Sequence, residues 1–109
     1  MKGQDFAQTL QYEEVLSGDG DDIVAAYTSD LLSDVMGNAP ADSVLITIQA
    51  HKNTVAVAEL TGVKAIILCN SRTPDQGMID AASEAEIGIY VSKDDQFTVS
   101  CSVGKLLGV

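Results

Sequence analysis

Three short runs rich in Val, Ile and Leu recur along the second half of the chain, at a spacing of about 22 residues: Ser43 to Ile48, Ala65 to Cys69, and Ile87 to Ser92. Each is followed by helix-like sequence. Near-continuous apolar runs of this length belong to strands covered on both faces, since a strand with one wet face alternates apolar and polar residues. Successive strand-helix units joined by short loops give parallel strands linked by right-handed crossovers. Asn53 is placed to cap one crossover helix running through Leu60 and stopped by Gly62. Thr73 is placed to cap the next, with Pro74 at its first position, to about Ala85. The expected class is α/β, with a mostly parallel central sheet built from βα units.

The chain has 109 residues, 46% of them hydrophobic and 20% charged, enough for one core and one domain spanning residues 1 to 109. Its formal net charge is −10. So acidic a surface lacks the basic face that nucleic acid or an anionic membrane requires, and neither is expected as a partner. No apolar run reaches the length of a membrane span, and the first residues carry no apolar stretch of signal type. Cys69 and Cys101 form neither a CxxC pair nor a disulfide framework, so reduced thiols and a cytoplasmic location are expected.

The first 42 residues hold nine acids and one base, and read less regularly. A short helix over Asp5 to Leu10 precedes a strand over Glu13 to Leu16, a turn at Gly18 to Asp21 and a second strand over Ile23 to Tyr27. Both strands are expected to extend one edge of the sheet. Ser29 then caps a helix with Leu31, Leu32, Val35 and Met36 on one stripe, stopped by Gly37. At the other end, Phe97, Val99, Cys101 and Val103 alternate with polar residues as in a strand. Ser92 followed by Lys93, Asp94 and Asp95 reads instead as a helix start.

Chemistry is sparse. Gly104-Lys105 lacks the rest of a phosphate loop. Asp19, Asp21 and Asp22 open like a calcium loop, but Ile23 and Val24 stand where an oxygen ligand and a glycine belong, so a solvated turn and no metal are expected. His51 has no partner at ligand or triad spacing, and no catalytic residue is assigned. Cys69 ends a central strand just before Arg72. There it is either an activated thiol or a small buried residue.

The bases show more pattern. Lys52, Arg72 and Lys93 each lie just past the carboxyl end of an expected parallel strand, accompanied by His51, Asn53, Thr73 and Ser92. Ligands of open α/β sheets bind at this edge, where free amides at helix starts favour anions. These seven residues are the candidate rim for an anionic small molecule of nucleotide type. The competing reading pairs the bases with Asp75, Asp94 and Asp95 in the same loops. The helix from Thr54 to Leu60 carries Glu59 as its one charge. An all-round apolar helix needs cover beyond the sheet, so Val55, Ala56 and Ala58 are the candidate dimer contact, with burial under the acidic amino-terminal segment as the alternative.

Three stretches together, AAYTSDLLSDVMGNAPADSVLITIQAHKNTVAVAELTGVKAIIL, RTPDQGMIDAASEAEIGIYVS and DDQFTVSCSVGKLL, resemble the DRTGG domain family. That family is similar in fold to the amino-terminal domain of HPr kinase/phosphorylase. The resemblance spans about residues 12 to 107. Its most specific parts are SDLLSDVM, the junction ITIQAHKNTVAVA, and RTP at a helix start. It implies a three-layer α/β/α domain, a helical tail from Asp94, and a non-enzymatic regulatory or dimerising role beside other domains, acting through a protein partner and without a cofactor. Asn70 and Ser71 depart from the pattern, standing where the family commonly has glycines. That departure puts a close-approach role for the turn in doubt.

Overall fold

The computed structural model describes residues 1–109. Ten elements follow in order: α1 (Gly3–Leu10), β1 (Glu13–Leu16), β2 (Ala25–Thr28), α2 (Leu32–Asn38), β3 (Ser43–Thr47), α3 (Lys52–Thr61), β4 (Val63–Leu68), α4 (Gln76–Ala85), β5 (Gly88–Val91) and α5 (Gln96–Leu107). The sheet runs β1-β5-β4-β3-β2. The four strands β2 to β5 are parallel, and β1 is antiparallel to β5.

The apolar runs are continuous because each central strand feeds two cores. Leu45, Ile66, Leu68 and Ile89 meet α2, α3 and α4 through Val35, Val55, Ala58, Met78 and Ala82 on one face. Val44, Ile46, Ile67 and Tyr90 meet α1 and α5 through Phe6, Val99 and Val103 on the other. At about 1.5–3 kcal/mol for each large side chain removed from water, these two layers supply most of the folding drive. The architecture is three-layer α/β/α.

Three features are decided locally, two of them against expectation. First, β1 and β2 lie on opposite edges of the sheet, so the turn at Gly18 to Asp21 closes no hairpin. Residues 17–24 instead cross the amino-terminal ends of the strands. The segment is held by Lys64 Nζ on Asp21 at 3.1 Å, by Lys2 Nζ donating to the Gly20 carbonyl, and by Ile23, which is buried and bonded through its backbone to Met1. Asp19 Oδ1 accepts from the Asp21 amide at 3.0 Å, so these carboxylates are engaged in holding the crossing.

Second, the tail is helical, as the resemblance implied and against the alternation. Val99 and Val103, four residues apart, are fully buried, whereas Phe97 is 78% exposed and Cys101 exposed. Asp95 Oδ1 caps α5 by accepting from the Thr98 amide at 2.8 Å. Third, the other caps shift. His51 precedes α3 in place of Asn53, Asp75 caps α4 in place of Thr73, and Leu31 precedes α2 in place of Ser29, while Gly37 lies inside its helix. Gly62 does close α3, at φ +82°.

The dimer contact assigned to α3 also changes. Val55 and Ala58 are buried in this chain's own core, because α2 and α4 flank α3 on the same face of the sheet. Of the three candidate residues only Ala56 is exposed.

Candidate functional site

The crossover helices set where a cleft can open. After β2, β3 and β4 the chain turns to the layer of α2, α3 and α4; after β5 it turns to the opposite layer, into α5. The helices reached from the neighbouring strands β4 and β5 therefore lie on opposite faces of the sheet. A crevice opens at such a switch point, at the carboxyl ends of the strands, in open α/β folds.

A cleft of about 430 Å³ lies there, lined by Ser71 and Thr73 after β4, by Val91, Ser92, Lys93 and Asp94 after β5, and by Leu10, Gln11, Tyr12 and Glu13 from the α1–β1 link. The link reaches this edge because β1 runs antiparallel to β5, with Glu13 opposite Val91. One wall is a tight turn. Arg72 donates its amide to the Cys69 carbonyl at 3.1 Å, with Asn70 and Ser71 both left-handed at φ +57° and +54°. The amides of Asn70 and Ser71 bond the carbonyls of Asp94 and Ser92 at 2.9 and 2.8 Å, which fastens the two loops together.

Positive φ at Ser71 explains why glycine suits this position. A non-glycine residue there carries about 1–2 kcal/mol of strain. Ser71→Gly is expected to raise the melting temperature by a few degrees in thermal unfolding, because relief of strain outweighs the entropy a glycine adds to the unfolded chain. A fall would mean that the Ser71 side chain contributes a stabilising contact.

Of the seven candidate rim residues, Thr73, Ser92 and Lys93 line this cleft. Arg72 sits on the same turn, exposed and outside the lining. His51, Lys52 and Asn53 begin α3, two strands from β5. Lys52 and Asn53 line a separate groove of about 380 Å³ between α3 and α4, with Ala56, Glu59, Ala81 and Glu84. The three bases thus do not form one rim. Adjacent strands stand about 4.8 Å apart, so β3 and β5 ends are separated by about 10 Å before the loops diverge.

The edge is not locally positive either. Among the lining residues one base, Lys93, stands with two acids, Glu13 and Asp94. The Tyr12 phenol is raised above its ordinary value by burial and by the Asp94 charge. Its hydroxyl lies beside Ser92 and Ser102 without meeting hydrogen-bond geometry with either, so it is buried and unpartnered. Burial, followed by the charges of Asp30, Asp95 and Asp94, pushes the Cys69 thiol up to about 12. That overturns the activated-thiol reading: Cys69 is wholly buried, and its surroundings suppress the thiolate.

No motif announced Tyr12, Glu13 or Asp30. Asp30, after β2, is a hub at the neighbouring strand ends. Its Oδ1 accepts from Thr47 Oγ1, the Ile48 amide and Gln96 Nε2, each at 2.9 Å. These bonds tie β2, β3 and the start of α5 together.

No family model matches this sequence, and no curated protein matches it. Among solved structures, the chain is similar to the crystal structure of the CBS and DRTGG domains of the regulatory region of a Clostridium perfringens pyrophosphatase, complexed with its activator diadenosine tetraphosphate. The TM-score is 0.71 at 15% sequence identity, over 94% of this chain and 45% of that one. The fold is of the DRTGG/CBS-like kind. The match lends support to that part of the resemblance and none to the kinship with HPr kinase/phosphorylase. This chain spans less than half the length of that structure. No helix is long and apolar enough to cross a membrane.

Proposed function

We propose that this chain is a non-catalytic regulatory module that senses a small molecule bearing an anionic group in the cleft that the β4 and β5 loops form with the α1–β1 link. The observation that carries the reading is the coincidence of the 430 Å³ cleft with the point where successive crossovers change sides of the sheet, with Lys93, Ser71, Thr73 and Ser92 around it. The likeness to a pyrophosphatase regulatory region solved with a nucleotide activator supports a regulatory role for this fold. The free thiols support a cytoplasmic setting, and the net charge of −10 supports a partner that is neither nucleic acid nor membrane.

A panel of phosphorylated and carboxylated metabolites tests this by thermal shift. A ligand specific to the folded state at one hundred times its Kd stabilises by about 2.7 kcal/mol, which raises the melting temperature of a domain this size by roughly 10 °C or more. Lys93→Ala is expected to abolish the shift and leave the unliganded melting temperature nearly unchanged, since Lys93 is exposed and makes no ion pair. If no member of the panel gives a Lys93-dependent shift, the sensing role is wrong.

A homodimeric protein-interaction module is the second reading, favoured by Leu60, 75% exposed at the end of α3 on the helix that also exposes Ala56. Sedimentation at micromolar concentration is then expected to give about twice 11.4 kDa. Leu60→Asp is expected to give the single mass without lowering the monomer's stability by more than about 0.5 kcal/mol. A wild-type monomer removes this reading.

A further inference from the structure

We infer that the ligand of the β4–β5 cleft is a small zwitterion, with one anionic group and one protonated amine, rather than a polyanion. This rests on the ligand-sensing reading and narrows it. A polyphosphate needs several bases converging on one place, and here Lys93 is the one base among the lining residues, against the two acids Glu13 and Asp94. The other two bases of the expected rim are not among the lining residues: Arg72 is exposed on the turn beside the cleft, and Lys52 lines the α3–α4 groove. More carboxylates stand behind the wall, where Asp30 and Asp95 are close enough for the Cys69 thiol to feel them. A second and third phosphate would enter a field of their own sign.

A zwitterion matches the same lining in both signs. Its single carboxylate or phosphate meets the Lys93 ammonium and the hydroxyls of Ser71, Thr73 and Ser92, which donate to an anion without adding charge. Its ammonium meets Glu13 and Asp94. Neither of these carboxylates hydrogen-bonds or pairs with any side chain of the protein, so both are free to accept from a ligand. Leu10 and Val91 give the cleft an apolar wall for a carbon skeleton.

The test is a thermal-shift and calorimetric comparison of three sets of probes on the full chain. One set is the free amino acids and aminoalkyl phosphates; another is their amine-free analogues; the last is ATP, ADP and tripolyphosphate. At least one zwitterion is expected to bind, its amine-free analogue to bind at least tenfold more weakly, and the polyphosphates to give no shift. Glu13→Gln with Asp94→Asn is expected to weaken the zwitterion at least tenfold and to leave the amine-free analogue unchanged or tighter. Unliganded melting temperatures show that this variant is folded. Polyphosphates binding best, or an amine-free analogue binding equally, overturns the zwitterion and leaves the sensing role standing. Silence from all three sets, and from the wider metabolite panel, overturns both.

Discussion

Gly18→Ala is expected to cost about 3 kcal/mol and to lower the melting temperature by roughly 15 °C. Two penalties add at this position. The backbone is left-handed, at φ +74°, which costs an L-residue about 1–2 kcal/mol. An added Cβ would also stand 2.7 Å from the Gly88 amide nitrogen and 3.2 Å from its Cα. Those atoms are backbone of a buried strand and cannot turn aside as a flexible side chain would. Gly20 is the internal control: it has φ +81° in the same crossing segment, with nothing within 4 Å of its missing Cβ. Gly20→Ala therefore carries the conformational term alone, about 1 kcal/mol, and a fall of about 5 °C. Equal losses at the two glycines, measured by denaturant or thermal unfolding, would show that the contact with β5 is not made in solution.

Asp30→Ala is expected to cost about 3 kcal/mol, and Asp30→Asn about 1. All three bonds to the Asp30 side chain arrive at one oxygen, Oδ1. Alanine removes that acceptor and strands Thr47, which is fully buried, together with the Ile48 amide. Asparagine keeps a carbonyl oxygen at the same place and loses only the charge assistance. The amide of Ile48 should exchange with solvent much faster in the alanine variant and only slightly faster in the asparagine variant. If the two substitutions behave alike, the hub is held by charge rather than by the geometry of one acceptor.

The central strands were legible because burial on both faces leaves an unbroken apolar run, and Gly62 marked the end of α3 through a conformation that glycine adopts freely. The places of the two edge strands were not. Glu13 to Leu16 and Ala25 to Thr28 carry the same short strand signal wherever they pair, and the contacts that carry the chain between them across the sheet, among them Lys64 with Asp21, Lys2 with Gly20 and the burial of Ile23, are long-range. In the tail, Val99 and Val103 satisfy both a two-residue and a four-residue period, so alternation could not separate strand from helix. Thr73, Ser92 and Lys93 were legible as strand-end residues. Lys52 and His51 met the same rule and failed to join them, because the direction in which each loop leaves the sheet is a property of the whole topology. Tyr12 and Glu13 carried no local signal, since the antiparallel register with β5 alone brings them to the cleft.

That register has a consequence for when the cleft exists at all. Glu13 and Val91 lie far apart in the sequence, so one wall of the cleft is laid down well before the other in synthesis. Closing so long a loop is an entropic cost met only when the intervening βα units have already collapsed. A chain emerging from the ribosome can thus hold β2, β3 and β4 with their helices while having no cleft to fill. Occupancy therefore reports one pairing: a ligand that binds there favours only the chain in which β1 has met β5, and holds those two strands together.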